Sequence, residues 1–93
     1  MLEKDIERKL MMRVKSAGGL ALKFISPGFV GVPDRVILMP NGKIAFAELK
    51  AKGKKPRPIQ VRRIEQLRKL GFKVYVIDNI QMIGGVIDEI QAT

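Results

Sequence analysis

Two residue types that carry much of enzymatic chemistry are missing from this chain: it has no cysteine and no histidine. Their absence excludes disulfide frameworks, zinc sites of the usual ligand set, thiol nucleophiles and imidazole bases together. Tryptophan is absent too, and aromatic residues make up only 5% of the chain, so base stacking is not expected to be the main source of any affinity for nucleic acid. Acid is scarce, with 9 Asp and Glu against 18 Lys and Arg and a net charge of +9. No apolar run approaches the roughly 20 residues that a membrane span needs. The charged start, MLEKDIERKLMMRVKSAGG, lacks the uninterrupted apolar core of a signal peptide. The expectation is a soluble, intracellular protein with no membrane partner, whose chemistry must run on carboxylates, lysine, hydroxyls, amides and a hard metal ion.

At 93 residues, 46% of them hydrophobic, the chain is long enough for one core and too short for two, so residues 1–93 are read as a single domain. The positive charge is concentrated: from Lys50 to Lys73 there are ten basic residues and one acid, Glu65. Such a block attracts polyanions, of which nucleic acid is the commonest; the alternative is a merely solubilising face.

Apolar side chains at Leu2, Ile6, Leu10, Met11, Val14 and Ala17 recur at helical spacing until Gly18 and Gly19, which predicts a helix over 2–17. LALKFIS (20–26) reads as a strand and SPGFVGVP (26–33) as a loop. DRVILM (34–39) and KIAFAELK (43–50) read as two strands joined by Pro40, Asn41 and Gly42, a hairpin pattern. AKGKKPRP (51–58) is a basic loop, and Pro58 opens a helix in which Ile59, Ile64, Leu67 and Leu70 could face the core and which Gly71 ends. FKVYVID (72–78) is a strand, and the tail is a loop or turn followed by a short helix. The predicted order is α-β-β-β-α-β-α.

Pairing the two central strands decides whether their acids meet. With a three-residue connection, Met39 faces Lys43, Val36 faces Phe46 and Asp34 faces Glu48, with Cβ atoms about 4.5–5.5 Å apart. Two carboxylates that close repel, and a divalent cation bound by oxygen ligands removes the conflict. Lys50, two residues beyond Glu48, shares their face. A two-residue Asn-Gly turn would slip the pairing by one and set Asp34 against Leu49 on the wrong face; both turns fit the composition. A second oddity is Glu7, which at roughly 100° per residue falls within the apolar arc of the first helix. A lone carboxylate there is costly without a cationic partner: it is either a further acid of the site or a structural salt bridge.

Pro33 and Asp34, thirteen residues, then Glu48, Leu49 and Lys50 resemble the PD-(D/E)xK nuclease motif. The wider pattern, with Glu7 on a helix, GGLALKF, the GVPD turn, ELKAKGKKP and then Gln60, resembles the VRR-Nuc domain, the virus-type replication-repair nuclease, over nearly the whole chain. The resemblance implies an α/β, restriction-endonuclease-like core with a mixed sheet flanked by helices, and a metal-dependent endonuclease that hydrolyses DNA phosphodiesters in bacterial or phage-infected cytoplasm. By the same resemblance Asp34 and Glu48 hold Mg2+ or Mn2+, the backbone carbonyl of Leu49 is an extra ligand, and Glu7 completes the acidic cluster. Lys50 would position the attacking water, with Gln60 beside it. Lys52, Lys54, Lys55, Arg57, Arg62 and Arg63 are expected on phosphate.

Stand-alone members of that family are associated with dimers acting on junctions, which implies a homodimer that cuts branched DNA, four-way junctions in particular. Five Met residues and the tail IQMIGGVIDEI suggest more apolar surface than a small core absorbs, and Met is common at interfaces. The alternative to an enzyme is a non-catalytic basic nucleic-acid-binding module on a nuclease-like fold, which accounts for the charge and leaves the opposed acids as accidents.

Overall fold

The computed structural model describes residues 2–93. The first helix, α1 (Glu3–Ser16), starts where the Asp5 carboxylate accepts a hydrogen bond from the backbone N–H of Leu2. It buries Ile6, Leu10 and Val14, a single stripe at every fourth residue. The stripe is narrower than the sequence predicts, for Leu2 and Met11 are 60% and 42% exposed. Leu2 precedes the helix, and Met11 lies over the outermost strand, beyond which nothing covers it.

Four strands follow the predicted order: β1 (Leu20–Lys23), β2 (Arg35–Met39), β3 (Lys43–Leu49) and β4 (Lys73–Ile77). They form one sheet in the order β1-β2-β3-β4, antiparallel across the first two pairs and parallel between β3 and β4. A parallel pair needs a crossover, supplied here by α2 (Pro58–Lys69); α3 (Ile83–Gln91) follows a single 3-10 turn, Ile80–Met82. The sheet is thus mixed and flanked by helices, as expected. Strand β1 stops earlier than predicted, because Pro27 has no N–H for a ladder and the chain turns away after Phe24. In α2, Ile64 is buried but Leu70 is 73% exposed, since the helix ends one residue before it.

The connection of β2 to β3 is the three-residue form. Pro40–Gly42 make one 3-10 turn in which Asn41 (φ 68°) and Gly42 (φ 72°) are both left-handed, a conformation asparagine and glycine tolerate best. It sets Met39 opposite Lys43 and Val36 opposite Phe46.

Helices α1 and α3 cover one face of the sheet, where Ile37, Met39, Ala45, Ala47, Leu49 and Ile77 meet their buried residues; α2 covers the other, with Phe46, Ile64 and Val74 buried between. The tail is part of the larger core: Ile83, Val86, Ile87 and Ile90 are all buried. Apart from Met82, which is 39% exposed, it therefore leaves little surplus apolar surface, contrary to the sequence reading. The exposed apolar strip lies instead at Met11, Met12, Leu20 and Leu22, on α1 and the edge strand β1. Among the described residues no helix is long and apolar enough to cross a membrane.

Candidate active site

The pairing of Arg35 with Ala47, carried one residue further, sets Asp34 across from Glu48 at the sheet end far from the hairpin turn. Alternation along β2 and β3 puts both on the α2 face with Val36 and Phe46. Glu48 is only 1% exposed. Its Oε2 accepts a hydrogen bond from Gln60 Nε2 at 2.8 Å and an ion pair from Lys50 Nζ at 3.2 Å. Its Oε1 is equally buried and has no hydrogen-bond partner among the described residues. Oδ2 of Asp34 accepts from the backbone N–H of Leu49 at 2.8 Å, so the first acid is oriented by the strand that carries the second.

Burial pushes the Glu48 carboxyl above its ordinary value, and the neighbouring charge of Asp34 pushes the same way; the hydrogen bond and charge of Lys50 pull it down, and Glu3, in the first turn of α1, adds a further upward push. Buried carboxylates are raised in this way wherever desolvation and a like charge combine.

Gln60 owes its orientation to local sequence. As the third residue of α2 it reaches back to the start of the helix, where its Oε1 accepts from the Arg57 backbone N–H at 2.8 Å, the familiar role of Glu or Gln at that position. With the carbonyl engaged there, the amide nitrogen is what remains for Glu48. Lys50 follows the end of β3, and its backbone N–H donates to Ile77 at 3.0 Å, extending the alignment with β4 by one residue.

Glu7 is not brought to this pair. Its Oε2 lies 3.0 Å from the Nη2 of Arg35, a side chain directed to the α1 face, away from Asp34. Arg35 is itself buried, donates to the Ala21 carbonyl at 3.3 Å, and keeps Nε without a partner among the described residues. Among the described residues no group of three or more Asp, Glu, His or Cys is arranged to hold a metal ion. The sequence reading foresaw the salt-bridge alternative for Glu7 but not Arg35. The available signal was a lone charge at a core-facing position of β2, in phase with Ile37 and Met39.

Lys52, Lys54, Lys55 and Arg57 all stand exposed on the loop leaving Lys50, and Arg62 is exposed on α2. Arg63 is engaged elsewhere: its guanidinium lies 3.7 Å from the ring centre of Phe29, Nε donates to the Val30 carbonyl at 2.8 Å and Nη1 to Gln66 at 3.0 Å. The sequence alone did not single out this contact between loop and helix.

The donor set fits a hard divalent cation: two adjacent carboxylates, one of which, Glu48, has a buried oxygen lacking any donor among the described residues and is held above its ordinary value by burial and by the charge of Asp34. No family model matches the chain. A protein of Acyrthosiphon pisum secondary endosymbiont phage 1, named "Putative nuclease p44", is 51% identical over 77 residues, 83% of each chain. A solved structure described as "VRR_NUC domain" superposes with a TM-score of 0.86 and 32% identity, over 92% of this chain and 94% of that one. With this sheet, these flanking helices and these two relatives, the chain belongs to the VRR-Nuc family of nuclease domains.

Proposed function

We propose that the chain is a metal-dependent endonuclease hydrolysing DNA phosphodiester bonds, with a preference for branched DNA such as four-way junctions. One observation carries the reading: Asp34 faces a buried Glu48 whose Oε1 has no partner, beside Lys50. A structural ion pair needs only one of those acids, and burying Glu48 against a second, half-buried carboxylate is unfavourable unless a cation meets them both.

Asp34, Glu48 Oε1 and the Leu49 carbonyl would hold Mg2+ or Mn2+. Such an ion, when bound, activates water and stabilises the charge that develops on phosphate. The chain's own residues prepare the rest. The Leu49 N–H fixes Asp34, while Gln60 and Lys50 both donate to Glu48 Oε2 and so leave Oε1 as the oxygen on offer. Lys50 supplies a positive charge beside the reacting phosphate and a donor to orient water. Lys52, Lys54, Lys55, Arg57 and Arg62 draw in the DNA backbone, a contact that positions without reading sequence. Glu7 enters as the counter-charge of Arg35.

Resolving a four-way junction takes two cuts related by a two-fold axis, and a symmetric dimer presents two sites in that relation. The strip formed by Met11, Met12, Leu20 and Leu22, beside the unpaired edge of β1, supports a homodimer. The test is incubation of a labelled four-way junction with the protein and Mg2+, with and without EDTA. Cleavage abolished by EDTA and weaker on plain duplex supports the reading. Binding with no cleavage under any divalent metal would return the chain to the non-catalytic alternative. Light scattering that finds a monomer even with junction present removes the paired cut.

A further inference from the structure

The four phenylalanines are used unequally. Phe24, Phe46 and Phe72 form a row on the α2 face with ring centres 5.5 and 5.6 Å apart, whereas Phe29 stands apart on the loop between β1 and β2 and is 47% exposed. Its neighbours Ile25 and Val30 are 71% and 67% exposed. An apolar tip of this kind on so basic a chain marks a contact surface rather than a solvated turn.

The tip is firmly mounted. At its neck the Phe24 N–H donates to the Asp34 carbonyl at 2.8 Å, and within it the Phe29 N–H donates to Ser26 at 3.1 Å. Gly31 is left-handed (φ +90°), and a Cβ there would lie 2.9 Å from Ile59, so the loop rests directly on α2. Arg63 supports one side of the Phe29 ring and holds the Val30 carbonyl. Beside the ring is a cleft of about 250 Å³ lined by Phe24, Ser26, Val32 and Leu67.

We propose that Phe29 is a stacking platform for one nucleobase flanking the scissile phosphate, one that is unpaired or at a branch point. This rests on the nuclease reading for where the DNA lies. The loop's neck is the Asp34 carbonyl, so the ring is fixed relative to the acid pair, and the exposed lysines of residues 52–55 belong to the same end of the molecule as Glu48. A nucleobase is the flat apolar group that accompanies a phosphate, and an aromatic ring accepts any base because every base has a π-face. A base inside a continuous duplex must first be unstacked, at a cost that is least for one already unpaired. The platform therefore selects substrate shape rather than sequence, and it does so with a single aromatic where bulk affinity comes from lysine and arginine.

The test is fluorescence anisotropy in EDTA, so that no cleavage intervenes, with a branched DNA carrying unpaired bases and a fully paired duplex of equal length. Wild type is expected to favour the branched DNA. Phe29→Ala should weaken branched binding by about tenfold with duplex binding unchanged, Phe29→Trp should keep the preference, and Phe29→Leu, apolar but without a ring face, should lose it. Melting curves confirm that each variant is folded. Equal losses on both DNAs, retention of the preference by Phe29→Leu, or a changed oligomeric state in Phe29→Ala would each overturn the platform. If the platform pattern is seen while wild type cuts nothing with either Mg2+ or Mn2+, the nuclease reading fails, and the base-stacking role of Phe29 stands without a scissile phosphate beside it.

Discussion

Among the described residues, thirteen buried apolar side chains from both helices and three strands close into one core on the α1–α3 face of the sheet; on the α2 face there are three, and a buried glutamate and a buried glutamine sit close by. Each face also carries one buried charge with an unsatisfied atom, Arg35 Nε on the first and Glu48 Oε1 on the second. The settings differ. Arg35 is met by a carboxylate and a carbonyl, so its guanidinium pins α1 to β1 and β2. Glu48 is approached on one oxygen by two donors while its other oxygen is left unpaired beside a like charge. The thick face can hold the fold while the thin face carries groups arranged against their own stability.

The sharpest way to break that comparison is to neutralise the thin face. Asp34→Asn, Glu48→Gln and Lys50→Ala should each lower junction cleavage by at least about a hundredfold and leave a cooperatively melting, DNA-binding protein. Near wild-type cleavage by any one of them removes that residue from the site. The next largest effect is on stability. Leu10→Ala, inside the thick core, should cost about 3–5 kcal/mol, and Ile64→Ala, under α2, about 2–3 kcal/mol by urea unfolding; the reverse order would mean that the thin face also holds the fold.

Glu7→Gln should cost about 1–3 kcal/mol, because buried Arg35 loses its counter-charge, and should leave Mg2+ affinity unchanged by titration calorimetry. A fall in affinity would return Glu7 to the metal site. A smaller effect follows from Glu48. Its carboxyl titrates above the ordinary value in the folded state, so the stability it contributes is complete in acid, below the unfolded value, and is lost as pH rises through the folded one. Without divalent metal, Glu48→Gln should therefore melt higher than wild type at neutral pH, with the gap closing in acid. The smallest expected change comes from Lys52→Ala and Lys54→Ala, each weakening DNA binding modestly across sequences and reducing its salt slope by about one. An unchanged slope would take the loop off the phosphates.

Much of this was legible in the sequence because it is written in short-range patterns. The strand order and the helix between β3 and β4 follow from turn residues and apolar spacing. The register of the central hairpin does not, since two turns fit the composition; the three-residue connection of the structure decides it and delivers Asp34 to Glu48. What escaped is tertiary. Nothing near Glu7 shows that Arg35 will answer it, because the two meet only after α1 folds across the sheet. Arg63 reads as one more phosphate-binding cation until the loop from β1 settles on α2 and places Phe29 against it. The tail's isoleucines have the composition of an interface and the periodicity of a core, and only the empty space on the α1 side of the sheet decides between them.

The basic loop has one more property, which comes from how it is fastened. Lys50, at its start, bonds Glu48 directly; Arg57, at its end, is tied through Gln60 to the same oxygen. The segment is a bracelet whose clasp is one carboxylate. Lengthening it leaves the clasp in place, and doubling a loop's length costs only about 0.6 kcal/mol in closure entropy. Residues 51–56 can thus grow, shrink or exchange their charges while Glu48 Oε1 keeps its position, so the charge and reach of this end of the molecule can be refitted by changing the bracelet alone.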